Sequence, residues 1–176
     1  MKTSLKLLAI SGALLISISG CSKLLDKVTE QTVTTEYTDV DFTVEPGVAG
    51  TYSENIEIET PNLDSILQYE GYDAGKVKSV KISDALVESS DGGNFDPFES
   101  FLVTLEASGQ KGVKIAEAAN IPTGVTEIAL TKEDVNAIDY LKSFHYTVKV
   151  KTVLDQNLEV QRNLQVKVKY EIKVTI

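Results

Sequence analysis

The 176-residue chain contains no Trp, and Cys, His, Arg and Met each occur once. Each shortage removes a class of chemistry. A single His, His145, cannot build the multi-histidine sites that hold catalytic zinc. A single Cys, Cys21, has no partner for a disulfide or a thiolate cluster, so a folded domain here is held by its core. A single Arg, Arg162, and a formal net charge of −9 argue against nucleic acid or anionic headgroups as partners, because both need clustered Lys and Arg. The longest apolar stretch, Leu7–Ile18, is interrupted by Ser11, Gly12 and Ser17 and is shorter than the ~20 residues of a spanning helix. No G-x-S-x-G, G-x-G-x-x-G, phosphate loop or H-E-x-x-H occurs.

What is present begins with an export signal. Lys2 and Lys6 precede an apolar core of Leu7–Ile10 and Ala13–Ile16, and Ser17, Ser19 and Gly20 supply the small residues of a cleavage point. The four residues Ile18-Ser19-Gly20-Cys21 resemble the lipobox of bacterial lipoproteins. The resemblance implies a diacylglyceryl group on the Cys21 sulfur, cleavage before it, and in many bacteria a further acyl group on the new amino terminus. One acyl chain binds only marginally, at ~0.8 kcal/mol per buried CH₂, so two or three are needed for a stable tether. The expected organisation is a signal peptide over 1–20, a lipidated and weakly ordered tether over 21–32, and one domain over 33–176. Residues 21–176 carry 15 basic and 26 acidic side chains, a net of −11. The expected partner is a bilayer, reached through Cys21, with an envelope protein or a glycan as further candidates. No cofactor is implied. The expected location is the cell envelope. Ser22 after the lipidated Cys is compatible with the outer membrane, and the side of the membrane is left open.

From Val33 the dominant period is two. Val33, Thr35 and Tyr37 alternate, then Val40, Phe42 and Val44 alternate in the opposite phase, which predicts a break or bulge near Thr38-Asp39. Tyr52, Ile56 and Ile58 predict a second strand. Thr60-Pro61 looks like a helix start and Gly71 like its stop, with Leu63, Ile66 and Leu67 at helical spacing. Between Val77 and Val87 two apolar phases compete, so this strand is expected to be bulged or buried on both sides. Ser89–Glu99 reads as a loop, and Ser108–Gly112 joins a hairpin. Ile128 and Leu130 suggest a short strand. Thr131–Asp134 reads as a second helix start, with Val135, Ile138 and Leu141 as its apolar stripe. The strands from Phe144 to Ile176 alternate apolar and polar, with a break expected around Gln161-Arg162-Asn163. About eight strands and two short helices predict an all-β, two-layer antiparallel sandwich with Greek-key, immunoglobulin-like connections, a closed barrel being the alternative.

The segments Asn94-Phe95-Asp96, Ile115-Ala116, Asn120-Ile121-Pro122 and Asp139-Tyr140-Leu141-Lys142 resemble small uncharacterised lipoproteins of the Bacteroidota, over residues 77–176. That resemblance implies a surface or periplasmic β-sandwich and brings no activity with it.

Candidate chemistry is sparse. His145 shares a strand face with Thr147, Lys149 and Lys151, away from the apolar stripe, and is expected in solvent. Asp91, Asn94, Asp96 and Glu99 offer hard oxygen ligands of the kind calcium takes, but not at the spacing of an EF-hand loop. The plainer expectation is a turn whose Phe95 and Phe98 enter the core. No catalytic residue is assigned. The leading functional expectation is a non-enzymatic adhesion or assembly module of the envelope. A carbohydrate- or cation-binding module of a nutrient-uptake system is the alternative, and a cell-wall or glycan hydrolase, which needs two converging carboxylates, is a third.

Overall fold

The computed structural model describes residues 30–58, 63–64, 67, 71–143 and 145–176. The expected signal segment, Cys21, Thr60, Pro61, Ile66 and Phe144 lie outside the described residues.

Ten strands follow in order: β1 (Glu30–Thr34), β2 (Thr38–Val44), β3 (Gly50–Ile58), β4 (Val77–Ser89), β5 (Phe98–Ala107), β6 (Gln110–Ala119), β7 (Glu127–Ala129), β8 (Thr131–Lys132), β9 (Tyr146–Leu154) and β10 (Arg162–Thr175). A 3-10 turn covers Ala74–Lys76, and a short helix α1 covers Ile138–Leu141. All pairings are antiparallel. In the first sheet β10 is flanked by β4, and β7 lies beyond β4. On its other side β10 takes both β1 and β2. The second sheet has the order β3-β9-β5-β6-β8.

The expected two-layer antiparallel sandwich is therefore present. Its connections correct the immunoglobulin-like detail. Every link between consecutive main strands crosses from one sheet to the other except the β5–β6 hairpin. The facing orders β2-β10-β4-β7 and β3-β9-β5-β6 are those of a jelly roll.

Why these segments pair as they do follows from their apolar phase. Leu164, Val166, Val168, Tyr170, Ile172 and Val174 are all buried, and the residues between them are not. They face Phe101, Val103 and Leu105 of β5 and Val148 and Val150 of β9 within one core. Each such side chain contributes on the order of 1.5–3 kcal/mol when buried. At the core's centre the hydroxyls of Tyr146 and Tyr170 pair, and burial pushes both phenols up from their ordinary pKa.

The phase changes in the sequence are bulges. Val33 lies opposite Ile172 and Val40 opposite Val166, so the β1–β2 edge advances seven residues while β10 advances six. The extra residue falls in the 35–37 gap and turns the apolar set back to the core. In β4 the register skips at Ser83 and again at Lys78. These two bulges bring Val77, then Val80 and Ile82, then Ala85 and Val87 to one face, all buried.

Three boundaries differ from expectation. β1 starts at Glu30, so residues 30–32, expected to be weakly ordered, are in a strand. Glu99 lies in β5, not in the preceding loop. Thr131-Lys132 do not begin a helix. They pair with Glu117 and Ala116 of β6, and the Glu133 N–H continues the contact to the Ile115 carbonyl. The helix instead starts beyond Asn136, whose side-chain oxygen accepts from the N–H of Ile138 at 3.3 Å and of Val80 at 2.9 Å. The first expected helix is seen where it is described. Leu63 and Leu67 are helical and buried. Gly71 has φ +80°, and the Tyr72 N–H bonds back to the Leu67 carbonyl, which is how a left-handed glycine closes a helix.

The two flanks of the sandwich are unlike. On one, the segment 127–141 lies over the edges of both sheets. Leu130 N–H donates to Ala85, Lys132 Nζ to the Ser83 carbonyl, and Ala137 N–H to Val80, while the same segment pairs with β6. On the other flank β1–β2 and β3 are the edges, and among the described residues no segment pairs along them.

Candidate functional site

In a jelly roll the four crossover loops at one end lie side by side. Here they are residues 45–49, 90–97, 120–126 and 155–161, and this end is organised by Arg162. Its position explains the burial. It stands in the apolar phase of β10, two residues before Leu164, and so points inward. The residue is 6 % exposed. A guanidinium there must find acceptors or lose several kcal/mol.

It finds three. Nε lies 3.2 and 3.3 Å from the two Asp91 carboxylate oxygens. One terminal nitrogen donates to the Asn94 carbonyl at 2.5 Å. The other donates to Ser89 Oγ at 3.1 Å and lies 3.2 Å from Asp91. Asp91 also accepts from the N–H groups of Gly93 and Asn163 and from Ser89 Oγ. Burial alone would push the Asp91 carboxyl up. The N–H groups of Asn163 and Gly93, the guanidinium and Ser89 together outweigh it and hold the group well below the usual carboxylate range. The guanidinium packs flat on Gly93, where a Cβ would sit 2.4 Å from its central carbon. Gly92, beside it, has φ +75°, which only glycine adopts without strain.

A pH dependence follows. A carboxyl with a depressed folded-state pKa contributes its full stability above the unfolded value and loses it as pH falls through the folded one. Stability is therefore expected to fall from about pH 4 downward. Urea midpoints measured from pH 6 to pH 3 should drop more steeply in the wild type than in Asp91→Asn. Parallel curves would remove Asp91 from the account.

The four candidate oxygen ligands Asp91, Asn94, Asp96 and Glu99 do not converge on one point, although Asn94 and Asp96 meet. Asp91 is committed to Arg162. Asp96 accepts from the Gly124 N–H at 2.5 Å and from the Asn94 amide at 2.8 Å. Glu99 is exposed on β5. A fixed cation in the middle of the loop opposes a second one, so the donor set does not suit calcium. Phe95 and Phe98 enter the core as expected. Phe95 stacks edge-on to Phe98 and Phe101 at 5.6 and 5.7 Å between ring centroids, and Phe98 stacks on Phe101 at 5.2 Å.

His145 is exposed at the far end of the sandwich from Arg162, as its strand phase predicts. Among the described residues no group of three His, Cys, Asp or Glu side chains is placed to share a metal. The loop end does carry two exposed valines, Val48 at 71 % and Val160 at 65 %. They flank the bridge between Gly47 and Leu158.

The chain is thus a jelly-roll sandwich whose loop end is locked by an internal ion pair. No family model and no curated protein sequence matches it. Among solved structures it is similar to the decameric capsid protein of BFDV, with 11 % identity and a TM-score of 0.43 over 84 % of this chain and 99 % of that one. It is also similar to a Desmodium yellow mottle tymovirus structure, with 9 % identity and a TM-score of 0.28 over 99 % of this chain and 97 % of that one. Both likenesses are of shape, and the strand order above rests on the pairing of this chain alone.

Proposed function

We propose that this chain is a lipid-anchored protein of the bacterial cell envelope whose jelly-roll domain is a non-enzymatic binding or assembly module. The observation that carries the reading is where the tether joins the domain. Glu30 pairs with Thr175, so the chain following Cys21 enters at the end of the sandwich opposite Arg162. Residues 22–29 reach at most about 28 Å when extended. β10 runs about 46 Å from that end to the loops. An anchor at Cys21 would hold the domain close to the bilayer and present the four crossover loops away from it. The loop end fits a rigid presenting surface, because its buried charge is spent on fixing the loops rather than left facing a cleft.

Three measurements test this. Wild-type protein should take up labelled palmitate and sediment with membranes, whereas Cys21→Ser should do neither and appear in the soluble fraction. A Cys21→Ser protein that still sediments would remove the lipid from the proposal. Protease added to intact cells then places the domain: loss before lysis puts it on the surface, and protection until lysis puts it in the periplasm. Cross-linking in the envelope should capture a protein or glycan partner, and a strictly monomeric, uncross-linked protein would count against a binding role.

A further inference from the structure

Net charge is not spread over this molecule. Residues 28–75 hold eleven Asp and Glu and no Lys, Arg or His, while the rest of 21–176 holds fifteen acidic and fifteen basic side chains. Seven of those eleven acids lie within residues 30–58, the stretch that forms β1, β2 and β3, and that stretch holds no cation. These are the edge strands of the two sheets on the flank that segment 127–141 does not cover. Between β2 and β3 runs a groove of about 310 Å³, lined in half by Phe42, Val44, Tyr52 and Val150 and in half by the polar Thr43, Glu45, Ser53 and Thr152. Glu36, Asp39, Asp41 and Glu45 are exposed along the same edge.

We propose that this flank docks an extended Lys- or Arg-rich segment of a partner protein, which adds a strand to β2 or β3 and sets apolar side chains into the groove. Three physical points select that occupant. An edge strand presents unpaired N–H and C=O groups, and strand addition satisfies them. The groove takes alternate side chains of a strand, which recur on one face every second residue. The edge strands carry carboxylates and no cation, the lysines of β9 and β10 lying one strand further in, so the edge repels a second copy offering the same strands and attracts a cationic chain. The opposite flank serves as an internal comparison, since its β4 and β6 edges are already met by donors from Leu130, Lys132, Glu133 and Ala137. The inference rests on the binding-module reading above but not on the lipid.

The test uses the full chain in detergent and three twelve-residue peptides. One alternates Lys with Val. The second replaces every Lys by Glu. The third keeps the charge but carries Pro at alternate positions, which removes N–H donors and prevents strand pairing. Labelled alternating Lys peptide should bind saturably and weaken by about tenfold or more between 0.05 and 0.5 M salt. Hydrogen exchange should slow within Thr38–Val44 or Gly50–Ile58. The Glu peptide should not bind, the Pro peptide should bind at least about fivefold more weakly, and the double variant Asp41→Lys, Glu45→Lys should lose most of the affinity. Equal binding of the Pro peptide would show plain charge attraction and overturn strand addition. Protection outside these strands, edges already slow to exchange before peptide is added, or unchanged binding by the double variant would overturn it as well. If the peptide fails while palmitate labelling and partner capture succeed, the docking inference falls and the envelope reading stands.

Discussion

Replacing Phe101 by Ala should lower the unfolding free energy by about 4 kcal/mol, the middle of the range for a buried aromatic. Phe101 sits where three pieces of chain meet. It leaves β5 toward the core, meets Phe42 of the facing sheet at 6.4 Å between ring centroids, and packs against Phe95 from the 90–97 loop and Phe98 at the start of β5. Truncation would leave a cavity bordered by three rings that cannot all move in, since Phe95 and Phe98 are fixed by the backbone bond from Phe98 N–H to the Phe95 carbonyl. For a domain of this size the loss corresponds to a fall in Tm of about 8–16 °C. Phe101→Leu keeps most of the volume and should cost about a third as much. Urea denaturation of the two variants beside the wild type decides the matter, and an Ala variant within about 1 kcal/mol of the wild type would show that the sheets close over the gap.

Arg162→Ala should cost about 3 kcal/mol, because it strips a buried cation from an ion pair and leaves Asp91, Ser89 Oγ and the Asn94 carbonyl short of a donor. Asp91 keeps the N–H groups of Gly93 and Asn163, which limits the loss. Arg162→Lys should recover less than half, because an ammonium cannot span three acceptors with the planar geometry of a guanidinium. A double-mutant cycle with Asp91→Ala should return a coupling of about 1–2 kcal/mol. Strictly additive losses would mean that the two side chains stabilise the loop end independently, against the geometry described.

That residue also shows where sequence reasoning stopped. The break expected around Gln161-Arg162-Asn163 includes it, yet it opens β10. The signal was there: counting by two from Leu164 lands on it, so an arginine occupied an apolar position. An inward arginine calls for an acceptor, and Asp91 lies 71 residues away, beyond the reach of any local pattern. The alternation of β9 and β10, the competing phases of β4 and the slip between β1 and β2 are legible because each is a statement about one strand and its two faces, whereas that β4 resolves its conflict by two bulges is not. The jelly-roll order was not, since which strands become neighbours depends on contacts between distant segments. Thr131–Asp134 misled for a related reason. A Thr followed by acids caps a helix in isolation, but here β6 offers an edge that holds Thr131 and Lys132 extended. Cys21 lies outside the described residues, and the reading of it rests on the sequence.

The pairing of the first strands with the last has a kinetic side. β1 and β2 have β10 as their partner, and β3 has β9, across roughly a hundred intervening residues or more. A chain delivered amino end first must therefore wait with Val40, Phe42 and Val44 unpaired until nearly all of it has arrived, and such long-range closure is slow. Carboxylates crowded into the same stretch repel neighbouring chains during that wait and keep the unfinished strands from joining one another.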